Sequence, residues 1–257
     1  MGSLSLTDGQ FGILYNIFSF GLVSMLACTV YTLVSQSRVL PKYRAALVMS
    51  SMVTFIAGYH YMRIFNSFHE SFENGSLKTG TGQGAFNEAY RYVDWILTVP
   101  LLLVEVIAVL ALAKAASSSL INRLVPASAA MIALGYPGEI SSDNNTKIIF
   151  GVLSTLPFLY ILYVLFVELS KSLERQPDGV AATVGRLRLL LIATWGVYPI
   201  SYLLPIISDN AATDPSAFVN RQIGYTIADV LAKCVFGLTI YKIAKMKSVA
   251  EGMKDDH

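Results

Sequence analysis

Charge is scarce in this chain. Of its 257 residues only 14% are Asp, Glu, Lys or Arg, while 54% are apolar. A water-soluble domain needs about a quarter of its residues charged to cover its surface, so a soluble globular protein is excluded. Cysteine is nearly absent. Cys28 and Cys234 are the only two and fall in apolar stretches, where packing is the expected role rather than a disulfide framework. No Cys/His spacing suits a metal, no glycine-rich loop suits a phosphate, and no basic patch suits nucleic acid. The net charge of +2 indicates no partner, and no repeat of about 20–50 residues recurs. The start, MGSLSL, lacks the Ser or Thr of a myristoylation signal at position six. The first apolar stretch has no basic lead-in and no small-residue cleavage site, so no cleaved leader is expected.

What the chain has is apolar length. A bilayer core of roughly 30 Å takes about 20 residues of helix to cross, and backbone groups in lipid must satisfy one another. Seven stretches qualify, near 10–34, 44–66, 87–113, 121–138, 147–170, 183–207 and 218–244. The expected fold is therefore an all-α membrane protein, a single seven-transmembrane-helix bundle over residues 1–257. Short connectors carry turn residues: Pro41, the Gly75–Gly84 stretch, Pro137-Gly138, Pro177-Asp178-Gly179 and Asp214-Pro215.

Basic residues set the orientation. Arg38, Lys42, Arg44, Lys114, Arg123, Lys171, Arg175, Arg186, Arg188, Lys242, Lys245, Lys247 and Lys254 fall on one side. Only Lys78, Lys147 and Arg221 fall on the other. The C-terminus is expected in the cytoplasm and the N-terminus outside the cell.

Two cations inside spans, Arg91 and Lys233, require an account, because charge at membrane depth is costly and marks function. The third span contains Arg91, Asp94, Thr98 and Glu105. On a helix turning about 100° per residue, Thr98 lies about 40° from Asp94, Glu105 about 20°, and Arg91 about 60° to the other side. All four share one stripe, with the two acids about 16 Å apart along the axis. Acids at two depths with a hydroxyl between them suit stations on a proton path; a stripe that only holds helices together more often uses Ser, Thr or Asn.

In the seventh span Asp229 and Lys233 are four residues apart and face the same way. A buried amine suits imine formation with an aldehyde, its cation balanced by Asp94 and Asp229. The same spacing also suits a plain ion pair between helices. The sixth span places Trp195, Tyr198 and Tyr202 on one face, with Pro199 beside Tyr198. With Trp95 and Met131 these suit an apolar slot leading to Lys233, though each alone suits ordinary core.

The runs RYVDWILTVPLLLVE, WGVYPISY and ADVLAKCVFG, at Arg91–Glu105, Trp195–Tyr202 and Ala228–Gly237, resemble the microbial (type 1) rhodopsins, in the family's order and across all seven spans. The resemblance implies all-trans retinal held as a Schiff base on Lys233. It implies Asp94 as counterion and proton acceptor, Asp229 as second counterion, and Arg91 as the nearby guanidinium. Trp95, Trp195, Tyr198, Pro199 and Tyr202 would line the chromophore slot. The triplet Asp94, Thr98 and Glu105 is similar to that of outward proton pumps of the proteorhodopsin and xanthorhodopsin type, with Glu105 as donor.

Several single positions carry further implications of the resemblance. His60 matches a histidine that pairs with the acceptor carboxylate, which would couple their titrations; a histidine bonded to a backbone carbonyl is the plainer alternative. Tyr61 resembles a tyrosine bonded to the second counterion. Leu102 resembles the green-absorbing choice on the retinal side of the third span. Gly151 falls where many rhodopsins carry tryptophan, and in xanthorhodopsins such a glycine admits a carotenoid antenna; close helix packing would also use a glycine. Arg221 stands where haloarchaeal pumps carry a proton-release glutamate, so release by that group is not implied.

The resemblance implies a light-driven outward proton pump, not an enzyme, in the plasma (inner) membrane of a prokaryote. Its expected partners are the bilayer, protons, a carotenoid and further copies of itself in a homo-oligomer. Rival readings make distinct demands. A photosensor signalling to a partner needs no acid at 105. Pumps for other ions carry a different triplet, and a non-photochemical receptor or transporter forms no pigment with retinal.

Overall fold

The computed structural model describes residues 4–73, 76–77, 86–87, 89–141, 143–174, 176–177, 179–207 and 214–254. Lys78 with most of its connector, Arg175 and Asp178 lie outside the described residues. Helix α1 spans Asp8–Val34 and α2 spans Pro41–Ser71. Two short antiparallel strands, β1 Phe72–Glu73 and β2 Ser76–Leu77, follow. Helix α3 is Ala89–Leu110 and α4 is Lys114–Ile140. The fifth rod joins α5 Asn144–Tyr163, a π turn Val164–Glu168 and α6 Ser170–Leu173. The sixth is α7 Val180–Trp195 followed by α8 Val197–Ile207. The seventh is α9 Pro215–Asp229, a π turn Val230–Val235 and α10 Phe236–Ala250.

These seven rods match the seven expected spans. Among the described residues, six are long and apolar enough to cross a membrane. The seventh is α4, diluted by Lys114, Arg123, Glu139 and a run of serines. Helix starts follow local chemistry. Thr7 caps α1 by accepting from Gln10 N–H at 3.2 Å, while Gln10 Oε1 accepts from Thr7 N–H at 3.0 Å. Asp143 caps α5 by accepting from Thr146 N–H at 2.8 Å, and Asp214 caps α9 with Pro215 in its first turn.

Two readings need correction. Pro137-Gly138 is not a connector: both residues lie inside α4. The helix continues because one missing N–H is tolerated where neighbouring helices pack closely, and Gly138 lets the Tyr202 hydroxyl approach. Arg63 also lies within a span, α2; it is exposed and donates to Tyr90 Oη at 2.9 Å.

Apolar side chains cover the outside of the bundle. Val30, Phe55, Leu156, Leu189 and Ile200 are exposed, while Arg91, Asp94, Glu105 and Lys233 are buried. That inversion of the soluble pattern suits a lipid surround. Three interruptions shape the interior. Pro100 lies inside α3, and the sixth rod breaks at Gly196, where Pro199 offers no N–H to continue the ladder. The π turn at Val230–Val235 carries Lys233; such wide turns recur at functional sites.

Candidate functional site: a buried lysine between two carboxylates

Lys233 is 2% exposed, and its Nζ lies 2.9 Å from Asp94 Oδ2. It also donates to Asp229 Oδ1, one turn earlier on the same rod. One acid thus comes from α3 and the other from α9. Asp229 is heavily solvated by protein. Tyr61 Oη donates to its Oδ2 at 2.8 Å, and Tyr198 Oη to its Oδ1 at 2.8 Å. Trp95 Nε1 and an Arg91 amine each approach at 3.4 Å. A carboxylate with so many donors is held as an anion in one geometry.

Asp94 is treated differently. Its Oδ1 is buried without a hydrogen-bond partner among the described residues. Thr98 Oγ1 donates to the Asp94 backbone carbonyl at 2.9 Å and so does not reach the carboxyl group. His60 Nδ1 lies 2.9 Å from the Ile56 carbonyl and 3.8 Å from Asp94 Oδ1. The ring is therefore beside the acid while bonded to its own helix. Asp94 thus faces the amine with one oxygen and keeps the other without a hydrogen-bond partner among the described residues.

Toward the N-terminal side, Arg91 donates to Gln222 Oε1 at 2.8 Å, and its guanidinium lies over the Tyr225 ring at 5.0 Å. Toward the C-terminal side, Glu105 is 0% exposed, and its Oε2 accepts from Ser50 Oγ at 2.7 Å. Its Oε1 has no hydrogen-bond partner among the described residues.

Sequence reasoning missed Ser50, Gln222 and Tyr225. Two carried a signal. Gln222 is seven residues before Asp229, and Ser50 is eleven before Tyr61, so each shares a helix stripe with a residue already singled out.

A cavity of about 290 Å³ starts at the rings that contact Asp229. Trp95, Met131, Trp195, Tyr198, Pro199, Tyr202 and Gly151 all line it, whereas Leu102 is buried in the core beside it. Trp95 and Tyr198 meet with ring centroids 4.7 Å apart. The exposed side chains Ile148, Val152 and Leu203 line the cavity too, so it opens sideways between α5 and α8. Tyr202 donates to the Lys147 carbonyl at 2.6 Å, and a β-carbon on Gly151 would lie 3.0 Å from its ring. An apolar slot that begins one side chain from a buried amine fits an elongated apolar aldehyde.

The model for bacteriorhodopsin-like proteins matches residues 14–246. The chain belongs to the bacteriorhodopsin-like family. Among curated relatives, the green-light absorbing proteorhodopsin of Gamma-proteobacterium EBAC31A08 is 30% identical over 237 residues, covering 91% of this chain and 88% of the relative. Among solved structures, xanthorhodopsin, described as a light-driven ion pump with dual chromophore, superposes with a TM-score of 0.91 at 45% identity. That match covers 98% of this chain and 100% of the other. A thermophilic rhodopsin gives 0.91 at 41% identity, over 97% and 99% of the two chains. The chain is thus a multi-pass membrane protein of the prokaryotic rhodopsin type.

Proposed function

We propose that this rhodopsin is a light-driven proton pump that carries protons from its C-terminal, cytoplasmic face to its N-terminal, outer face. The observation that carries the reading is one buried amine held between two carboxylates, with a third buried carboxyl group farther along the same inward stripe of α3. Asp94 and Asp229 hold Lys233, and Glu105 stands alone nearer the other face. All-trans retinal, linked through its aldehyde carbon to Lys233 Nζ with Trp95, Trp195, Tyr198 and Pro199 around it, would supply light absorption and a change of shape.

The protein's own groups supply the rest. Asp94 receives a proton at its carboxyl, 2.9 Å from the lysine nitrogen, and passes it toward the outer face. Asp229 stays anionic, because Tyr61, Tyr198 and Arg91 all donate to it, and it balances the cation at rest. His60 adjoins Asp94 and can steady its charge. Thr98 donates to the Asp94 backbone carbonyl, and Leu102 packs in the core with Trp95 and Trp195. Glu105 has no cation paired with it among the described residues, so it carries its proton at rest and yields it to the lysine nitrogen. Each ion moved against 100 mV costs about 2.3 kcal/mol, far less than a visible photon supplies.

The sideways opening at Gly151 supports a second chromophore, a carotenoid lying against α5 and α8. Such a carotenoid would pass its excitation to retinal across the Gly151 gap.

Illumination of unbuffered cells expressing the protein with retinal tests the pump. The expected result is acidification of the medium that a protonophore abolishes. Alkalinisation, or no change with a normally coloured pigment, would overturn it.

A further inference from the structure

Lys247 stands out among the buried groups left unused so far. A lysine in the last turn of a helix ordinarily reaches its own terminal carbonyls through water. This one, on α10, is 4% exposed and points inward. Its Nζ donates to the Leu110 carbonyl, the last of α3, at 2.6 Å. The Tyr43 ring of α2 lies over the ammonium, 5.0 Å to its centroid. No ion pair is formed by Lys247 among the described residues. An ammonium buried with only a carbonyl and a ring is costly to keep, and a Leu or Met would pack there without that cost.

The backbone is shaped to receive it. Ala111 takes a φ of 48°, a left-handed conformation that a β-carbon disfavours, and this ends α3 where its carbonyl meets Lys247.

The three helices that meet at Lys247 also enclose Glu105. Ser50, its partner, is on α2, and a β-carbon on Gly237 of α10 would lie 3.3 Å from Ser50 Cβ. Tyr43 is two turns beyond Ser50, and Leu110 about 8 Å of helix rise beyond Glu105. Between the two levels lie Ala46, Leu47, Ile240 and Ala244, all fully buried. Outside Lys247, Tyr43 donates to Glu251, which also pairs with Lys42, and Ser248 Oγ accepts from Leu40 N–H at 2.9 Å. A column of buried apolar side chains therefore leads from this face to Glu105, and the Lys247 side chain stops its mouth.

We propose that Lys247 is a positioning residue that closes the uptake path to Glu105, tying the end of α3 to α2 and α10 and keeping bulk water and protons off the donor. This rests on Glu105 being the donor from this face. The charged and titratable groups facing the ammonium are Tyr43 and Lys42 from α2, and Glu251 beyond its own helix.

The test is flash spectroscopy of the retinal-bound protein in liposomes, reading the rate at which the lysine nitrogen regains its proton at pH 6 and pH 8. In the wild type that rate should be set by Glu105 and stay flat with pH. Lys247→Met should make it fall about tenfold or more from pH 6 to pH 8, with the dark colour unchanged, and Lys247→Arg should restore the flat profile. Tyr43→Leu removes the ring while leaving the charge, and should give the same trend at lower amplitude. A flat profile in whichever of Lys247→Met and Tyr43→Leu forms pigment overturns the gate, even if its thermal stability falls. Glu105→Gln, measured alongside, separates the two readings. Unchanged kinetics there would sink the donor role itself, independently of the Lys247 result.

Discussion

Ser50 Oγ donates a 2.7 Å hydrogen bond to Glu105 Oε2, joining α2 to α3 where no other polar side chain reaches the acid among the described residues. A hydroxyl donor favours the carboxylate that forms when Glu105 gives up its proton. One hydrogen bond is worth about 1 kcal/mol, or roughly fivefold in a rate. Ser50→Ala should slow return of the proton to the lysine nitrogen by about that factor, and Glu105→Gln should slow it far more. Flash kinetics in the two variants checks the order; unchanged kinetics in Ser50→Ala would remove Ser50 from the path.

Lys233→Ala should give no visible pigment with retinal. Asp94→Asn should give a red-shifted pigment that does not pump, because the nitrogen cation loses its carboxylate at 2.9 Å. Absorption spectra and the illuminated-cell assay read both outcomes, and sustained outward transport by Asp94→Asn would end its role as acceptor.

The Tyr202 ring lies against Gly151 at the side opening. Gly151→Trp should keep the retinal pigment and abolish energy transfer from added carotenoid, seen as loss of the carotenoid bands from the excitation spectrum. A β-carbon on Gly138 would fall 1.9 Å from Tyr202 Oη, so Gly138→Ala forces that ring to move. The expected cost is about 1–3 kcal/mol in stability. Tyr202→Phe in the same chain should recover part of it, as thermal melts of the pigment would report.

Glu251 lies just beyond α10, where hydrogen bonds from Lys42 and Tyr43 hold its carboxyl below the usual carboxylate range. The folded value is thus lower than the unfolded one of about 4.3, and the folded state gains stability above that pH. The gain disappears as pH falls through the lowered value. Glu251 is largely exposed, so solvent screening holds the contribution to about 1 kcal/mol or less. Glu251→Gln should melt slightly earlier than wild type at pH 7, with the gap closing in acid. A gap that widens in acid would contradict the assignment.

Much of the site was legible because periodicity along one helix is a local property. Arg91, Asp94, Thr98 and Glu105 share an inward stripe by their spacing alone, and all four are buried. Asp229 and Lys233 pair across one turn for the same reason. His60 could be set beside Asp94 only through the family resemblance; in the structure its ring nitrogen lies 2.9 Å from the Ile56 carbonyl of its own helix and 3.8 Å from the acid. Pro137-Gly138 reads as a turn from residue types, and only the packing of Tyr202 against Gly138 shows why the helix runs on.

Composition and spacing by themselves determined seven apolar rods, an inward line of ionisable groups on the third, and a lysine with its acid on the seventh. Tertiary structure alone decided which hydroxyl serves Glu105, that Gln222 accepts from Arg91, and that Lys247 reaches the end of a different helix. The physical reason is that helix geometry is set by hydrogen bonds within about four residues. Partners on separate rods are chosen by the rotation and depth at which those rods pack, which no single stretch of sequence encodes.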